Sequence, residues 1–273
     1  MNGNSLLNLL PPVLRARGYR LYTRGGKDRT EGRIVDLWQA GGRAIMGHTP
    51  HLVLRDLKNT ANRGLFPPLP HFLEGRLAKA LGRLIDGRNF RFHSSFPADL
   101  GGIGIPSPPP DPALGRKLQG EVSLWRPFLA EALLSSVPVL LPVLPGASFF
   151  PLWATASLPS DSVEKNLPPA DLIPPVVLAA VLRTLNDLIG SPERGCPDFP
   201  KIRSILPESP WLNRGIYLSL REAVDGETWE KIFRRFLEGG FLIPPGPAEP
   251  LILPGELSPG EEAALVSLLQ FRP

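Results

Sequence analysis

Apolar positions recur at period two near the start of the chain, first around Tyr19, Leu21 and Tyr22, then through Ile34, Val35, Leu37 and Trp38. Such residues predict a β-hairpin over 19–40, turned at Gly25-Gly26. The second arm breaks at Gly41-Gly42, where the backbone can take positive φ and pass close to a neighbouring element. Gly47-His48-Thr49-Pro50 makes another turn. The residue before a proline is pushed out of the helical region, so this stretch reads as the loop that launches the next helix. Helical spacing then takes over. Leu52, Val53, Leu57 and Ala61 share one face of a helix ended by Gly64. Phe72, Leu73, Leu77, Leu81, Leu84 and Ile85 share one face of a second helix, stopped by Gly87, with a proline-rich connection over 65–70 between the two.

Further along, Phe90-Arg91-Phe92-His93 alternates like a strand and runs into Ser94-Ser95-Phe96-Pro97-Ala98. Gly101-Gly102-Ile103-Gly104 and Pro108-Pro109-Pro110 read as an exposed connector. The stretch from Ala132 to Pro159 carries no charge over a span long enough to cross a bilayer. Pro138, Pro142, Pro145, Gly146 and Pro151 divide it, which suits short buried strands at 139–143 and 149–156 better than one helix. A helix follows over 176–189, with prolines at its start and Gly190 after it. The C-terminal pattern is a helix over 227–238 ended by Gly239-Gly240, strands at 241–243 and 251–253, and a last helix. That helix opens with Ser258-Pro259-Gly260-Glu261, which has capping-box spacing. Residues 1–17, with Leu6, Leu7, Leu9, Leu10 and Leu14, read as an amphipathic arm.

Composition narrows the class. A chain of 273 residues forms one large domain or two small ones, and 42% hydrophobic with 21% charged residues is globular. Its 34 prolines foretell punctuated secondary structure. The net charge is +4, concentrated in Arg15, Arg17, Arg20, Arg24, Lys27, Arg29 and Arg33. That cluster fits either a solvated hairpin face or a phosphate- or nucleic-acid-binding surface. A single cysteine, Cys196, excludes an internal disulfide framework, and residues 1–14 lack the basic opening of a signal peptide, so the expected location is cytoplasmic. His48, His51, His71 and His93 have no cysteine or acidic companion at metal-ligand spacing, so no metal site is expected.

Four pieces, in order, carry a resemblance: Gly18-Tyr19-Arg20-Leu21-Tyr22, Gly25-Gly26-Lys27-Asp28, Val35-Asp36-Leu37-Trp38 and Met46-Gly47-His48-Thr49-Pro50. Here the chain resembles the class III, fold type I, pyridoxal-phosphate (PLP) aminotransferases, in a shortened and degenerate form. The resemblance implies an α/β protein: a reduced three-layer α/β/α large domain and a small α+β domain made from both chain ends. The implied division is 1–50 for the arm and hairpin, 51–204 for the large domain and 205–273 for the rest of the small domain. It also implies a homodimer, since the family's active sites lie between subunits.

PLP chemistry needs a lysine for the Schiff base, an acid for the pyridine nitrogen and a cup for the phosphate. By the resemblance, Ser94 and Ser95 stand where the family has its phosphate cup, but Phe96 replaces a small hydroxyl residue and Pro97 removes an N–H donor. No lysine occurs between Lys117 and Lys165, no Asp-Glu-x-x-x-Gly motif precedes the 176–189 helix, and Lys165 lies in the polar segment 162–166. The reading is an aminotransferase-like protein without Schiff-base chemistry, needing no cofactor and acting by binding or assembly. One alternative is an active PLP-dependent aminotransferase of amines or amino acids, using Lys165 or a site completed by a partner chain. The other is a basic phosphate- or nucleic-acid-binding module.

Overall fold

The computed structural model describes residues 4–24, 32–97, 100, 105–106, 108–115, 120–129, 134–146, 152–160 and 167–271. A short helix, Asn4–Leu7, is followed by strands β1 (Val13–Arg17), β2 (Arg20–Thr23) and β3 (Gly32–Asp36). β2 and β3 form the expected antiparallel hairpin, while its turn at Gly25-Gly26 lies outside the described residues. The arm differs from expectation. Leu6 is buried and Leu7, Leu9 and Leu10 pack on the core, but Val13–Arg17 pairs with β2 as an edge strand and leaves Leu14 56% exposed. Gly18 at φ +55 permits the tight reversal that joins them.

Helices His51–Ala61 and Leu73–Gly82 pack against the later helix Pro175–Ile189. Between them in sequence lie β4 (Asn89–His93), β5 (Val122–Trp125), β6 (Val139–Pro142) and β7 (Trp153–Ser157), which make a sheet of order β4-β7-β6-β5. β6 shows why a continuous apolar run is a strand here. Val139 and Leu141 pack with Leu100, Val122 and Leu167, while Leu140 packs with Ile85, Trp125, Leu134 and Ala156. Both faces are therefore covered. On the outer side of β5, the Leu124 amide donates to the Pro110 carbonyl at 2.8 Å, and Pro108, Pro109 and Pro110 have no N–H to offer in return.

The C-terminal part adds helix Pro200–Ile205, hairpin β8 (Trp211–Arg214) and β9 (Tyr217–Leu220), helix Gly226–Glu238, β10 (Phe241–Leu242), β11 (Leu251–Ile252) and helix Pro259–Leu269. β10 joins the N-terminal sheet parallel to β3, and β11 joins β9 in a three-stranded sheet of order β11-β9-β8. The two chain ends thus share one sheet.

Arg20 fastens them further. Its Nε and a terminal nitrogen donate to the two oxygens of Glu261 at 3.0 and 2.8 Å, a bidentate pairing. Glu261 also closes the Ser258 capping box, accepting from the Ser258 amide at 2.8 Å. Its hydrogen bonds from Arg20, followed by those with Ser258, hold its carboxyl at about 2. An acid whose pKa is lowered by folding contributes stability that is complete above its unfolded value and is lost as the pH falls through the folded one. Unfolding free energy should therefore fall between about pH 4.5 and 2, and Glu261→Gln should flatten that acid limb in urea titrations across the same range. An unchanged limb in the variant would count against the linkage.

Candidate functional site

β4, β5 and β6 are mutually parallel and β7 runs against them, so the carboxyl ends of three strands meet the start of β7 along one edge. Open α/β sheets bind ligands in the crevice outside such an edge. Here the edge carries Ser94 and Ser95 after β4, Arg126 after β5, Val143 after β6 and Trp153 at the start of β7.

The glycine-rich motif that follows β3 is laid against this edge. Gln39, Ala40, Gly41 and Gly42 all have positive φ, at +52, +52, +70 and +101. Left-handed backbone at a non-glycine residue costs about 1 kcal/mol or more, so the turn persists only where its surroundings enforce it. Asp36, buried at the end of β3, does so. Its Oδ1 accepts from the amides of Trp38 and Gln39, both at 2.8 Å, and its Oδ2 lies 2.7 Å from His48 Nε2. The Gln39 side chain donates to the Ile252 carbonyl at 3.0 Å, and the His48 amide donates to the Gly18 carbonyl at 2.8 Å. Gly42 needs to be glycine for space as well as φ. A Cβ there would sit 3.0 Å from the Arg126 guanidinium and 3.4 Å from both Ile252 and Val143.

Arg126 follows β5, the outermost strand, and is buried at that end of the row. It is 2% exposed, donates from Nε to Asp111 Oδ2 at 2.8 Å, pairs with the same oxygen through a terminal nitrogen at 2.7 Å, and donates to the Gly41 carbonyl at 2.7 Å. Burial works against its charge, and the Asp111 carboxylate more than offsets this, so its pKa stays above the ordinary arginine value. Beside it the Arg43 guanidinium lies 4.1 Å from the centre of the Trp153 ring, and Phe96 meets that ring edge-on at 4.9 Å. Sequence reasoning singles out neither Asp111 nor Arg126. One signal is present: Arg126 is the lone charge in the apolar stretch 122–130, and a charge buried in a strand region requires a partner.

The Ser94-Ser95 turn holds an anion already, but it is the protein's own. Asp171 Oδ2 accepts from the Ser94 amide at 2.8 Å and from Ser94 Oγ at 2.7 Å. Those two bonds hold the Asp171 carboxyl below its ordinary pKa. The Asp171 amide donates to the Phe92 carbonyl at 2.8 Å, and Arg91 donates to the carbonyls of Leu167 and Pro168 at 2.6 and 2.9 Å, so the segment carrying the carboxylate is tied to β4. Next to the turn, burial lowers the pKa of His93, whose Nε2 is 3.4 Å from Thr155 Oγ1.

Lys165 lies outside the described residues, as do Lys27 and Lys117. The described lysines, Lys58, Lys79, Lys201 and Lys231, are all exposed on helices. Of the N-terminal basic cluster, Arg20 and Arg33 contact Glu261, Arg20 also reaches Glu256, and Arg15 stacks on Tyr22 at 4.2 Å. Among the described residues, no three histidine, cysteine or acidic side chains are placed to hold a metal ion, and no helix is long and apolar enough to cross a membrane.

This architecture is the fold of class III PLP-dependent aminotransferases. Among solved structures it is similar to an omega-transaminase from Sphaerobacter thermophilus, with a TM-score of 0.67 and 12% identity over 95% of this chain and 90% of that one. It is also similar to ornithine delta-aminotransferase of Plasmodium falciparum, at a TM-score of 0.63 and 13% identity over 98% of this chain and 97% of that one. An acetylornithine aminotransferase from Elizabethkingia anophelis matches at 0.62 and 11% identity, over 99% of this chain and 98% of that one. No protein-family profile matches the sequence. One curated relative, an uncharacterized protein of Treponema pallidum (strain Nichols), is 35% identical over 82 residues, 30% of this chain and 25% of that protein. The match therefore spans about a quarter of that relative's length.

Among the described residues, the side chains along this edge do not fit PLP. The Ser94 donors that would face a phosphate are bonded to a carboxylate, which would also repel it, and the space outside β5 holds an arginine bonded to its own aspartate.

Proposed function

We propose that this protein has the aminotransferase fold without its chemistry, forms no Schiff base with PLP, and works by binding or assembly, with a second copy of itself as the first candidate partner. The observation that carries this reading is the Arg126–Asp111 pair, buried at the β5 end of the strand-end row and capped by the left-handed turn 39–42. A ring set against Arg126 would displace that turn and strand a charge, and breaking a buried ion pair costs about 3–5 kcal/mol. The resemblance at the small-domain motif concerns side chains that shape the turn, Asp36 and His48, and these are kept.

The test is an absorbance scan of the purified chain with added PLP, followed by borohydride reduction and peptide mapping. The expected result is the spectrum of free PLP and no reduced lysine adduct. A borohydride-trapped adduct on Lys165 would overturn the proposal in favour of an active enzyme with a displaced lysine. Light scattering on the same preparation should report a dimer, and a monomer at micromolar concentration would remove self-assembly from the reading.

A further inference from the structure

The Ser94-Ser95 turn retains the donors of an anion site. Ser94 contributes its amide and its hydroxyl, both aimed at a single oxygen of Asp171. Ser95 is exposed beside it with its own amide and hydroxyl. Consecutive backbone N–H groups in a turn make a concavity that favours anions. The anion in place is carried by residue 171, which the Arg91 bonds to Leu167 and Pro168 and the Asp171-to-Phe92 bond hold at the mouth of the turn.

We propose that Asp171 is an internal stand-in for phosphate: the turn is a working anion site kept shut by the chain's own carboxylate. This rests on the reading that PLP is not held here, and it adds the means by which the phosphate position is closed. A tethered group competes at an effective concentration on the order of millimolar or higher, so free phosphate at lower concentration is excluded without any loss of the turn's shape. The carboxylate supplies one acceptor oxygen to both Ser94 donors, as one phosphate oxygen would. Removing it leaves the donors in position and unopposed.

Inorganic phosphate is the probe, titrated into the full chain at constant ionic strength and followed by its own phosphorus NMR line width. Wild type should leave the line unbroadened. Asp171→Ala should broaden it saturably, with phosphate held at least about tenfold tighter than by wild type, the margin a tethered competitor commands. Adding Ser94→Ala to that variant should abolish the gain. If Asp171→Ala fails to fold, Asp171→Asn serves, because its amide drops the charge and keeps an acceptor for Ser94; a smaller gain is then expected. The proposal is overturned if the folded variant binds phosphate no better than wild type, if wild type already saturates, or if the gain survives loss of the Ser94 hydroxyl. The assay contains no aldehyde, so failure here leaves the absence of Schiff-base chemistry untouched, whereas a trapped Lys165 adduct in wild type would overturn that absence and with it the reading on which this proposal rests.

Discussion

Asp111→Ala will lower the unfolding free energy by about 3–5 kcal/mol, read as an earlier urea midpoint at unchanged slope. The size follows from what the substitution strands. Arg126 is 2% exposed and its carboxylate partner 4%, so water cannot take over the lost bonds. Among the described residues, the guanidinium would keep the Gly41 carbonyl and the face of Tyr217, whose ring centre lies 5.7 Å away. Asp111 also accepts from the Ala113 amide at 3.0 Å, so the turn at 112–114 loosens with it. The attraction within the pair is not itself the source of the loss, because the desolvation of two charges offsets most of it. Replacing both, as Asp111→Leu with Arg126→Met, should therefore restore most of the lost stability. A single substitution costing under about 1 kcal/mol would show that the crevice is wet and the pair exposed.

Asp36→Ala is expected to cost about 2–4 kcal/mol, from two amide donors left unpaired at about 1–3 kcal/mol each, less what relaxation recovers. The amides are those of Trp38 and Gln39, and the second opens the left-handed run over Gly41-Gly42. His48 would lose its 2.7 Å partner as well. Asp36→Asn retains an acceptor oxygen and should lose less than half as much. Because the turn presses on Arg126, the alanine variant should also raise hydrogen exchange at Gly41 and Gly42, whereas a purely local loss would leave those amides protected.

The parts of the fold that are legible in the sequence are those in which local chemistry and tertiary demand agree. The hairpin of β2 and β3, the helix Pro175–Ile189 between prolines and Gly190, and the capped helix at Ser258 each follow from period and punctuation within a dozen residues. Gly41 and Gly42 have the positive φ and the close approach their identities suggest. Hairpin β8–β9 escapes the hydrophobic pattern because the polar Asn213 and Arg214 conceal its reversal, and Gly215 at φ +65 is its one marker. Leu14 misleads for a related reason: an apolar residue in a strand at a sheet edge need not be buried, and edge pairing is not written in the hydrophobic pattern. At the site, Ser94 and Ser95 are legible as a turn. Their occupant is not, since Asp171 reaches them from 77 residues further along the chain and carries no periodic signal.

The three prolines beside β5 have one more consequence. An exposed strand margin is a template on which foreign chain can be zipped, and sheets of modest width are the ones most exposed to that hazard. Leu124 spends its amide on Pro110, and the prolines at 108–110 offer a newcomer acceptors but no donors, so a strand added there would lack half of its ladder. Growth of fibres through that flank is disfavoured by the proline rings themselves.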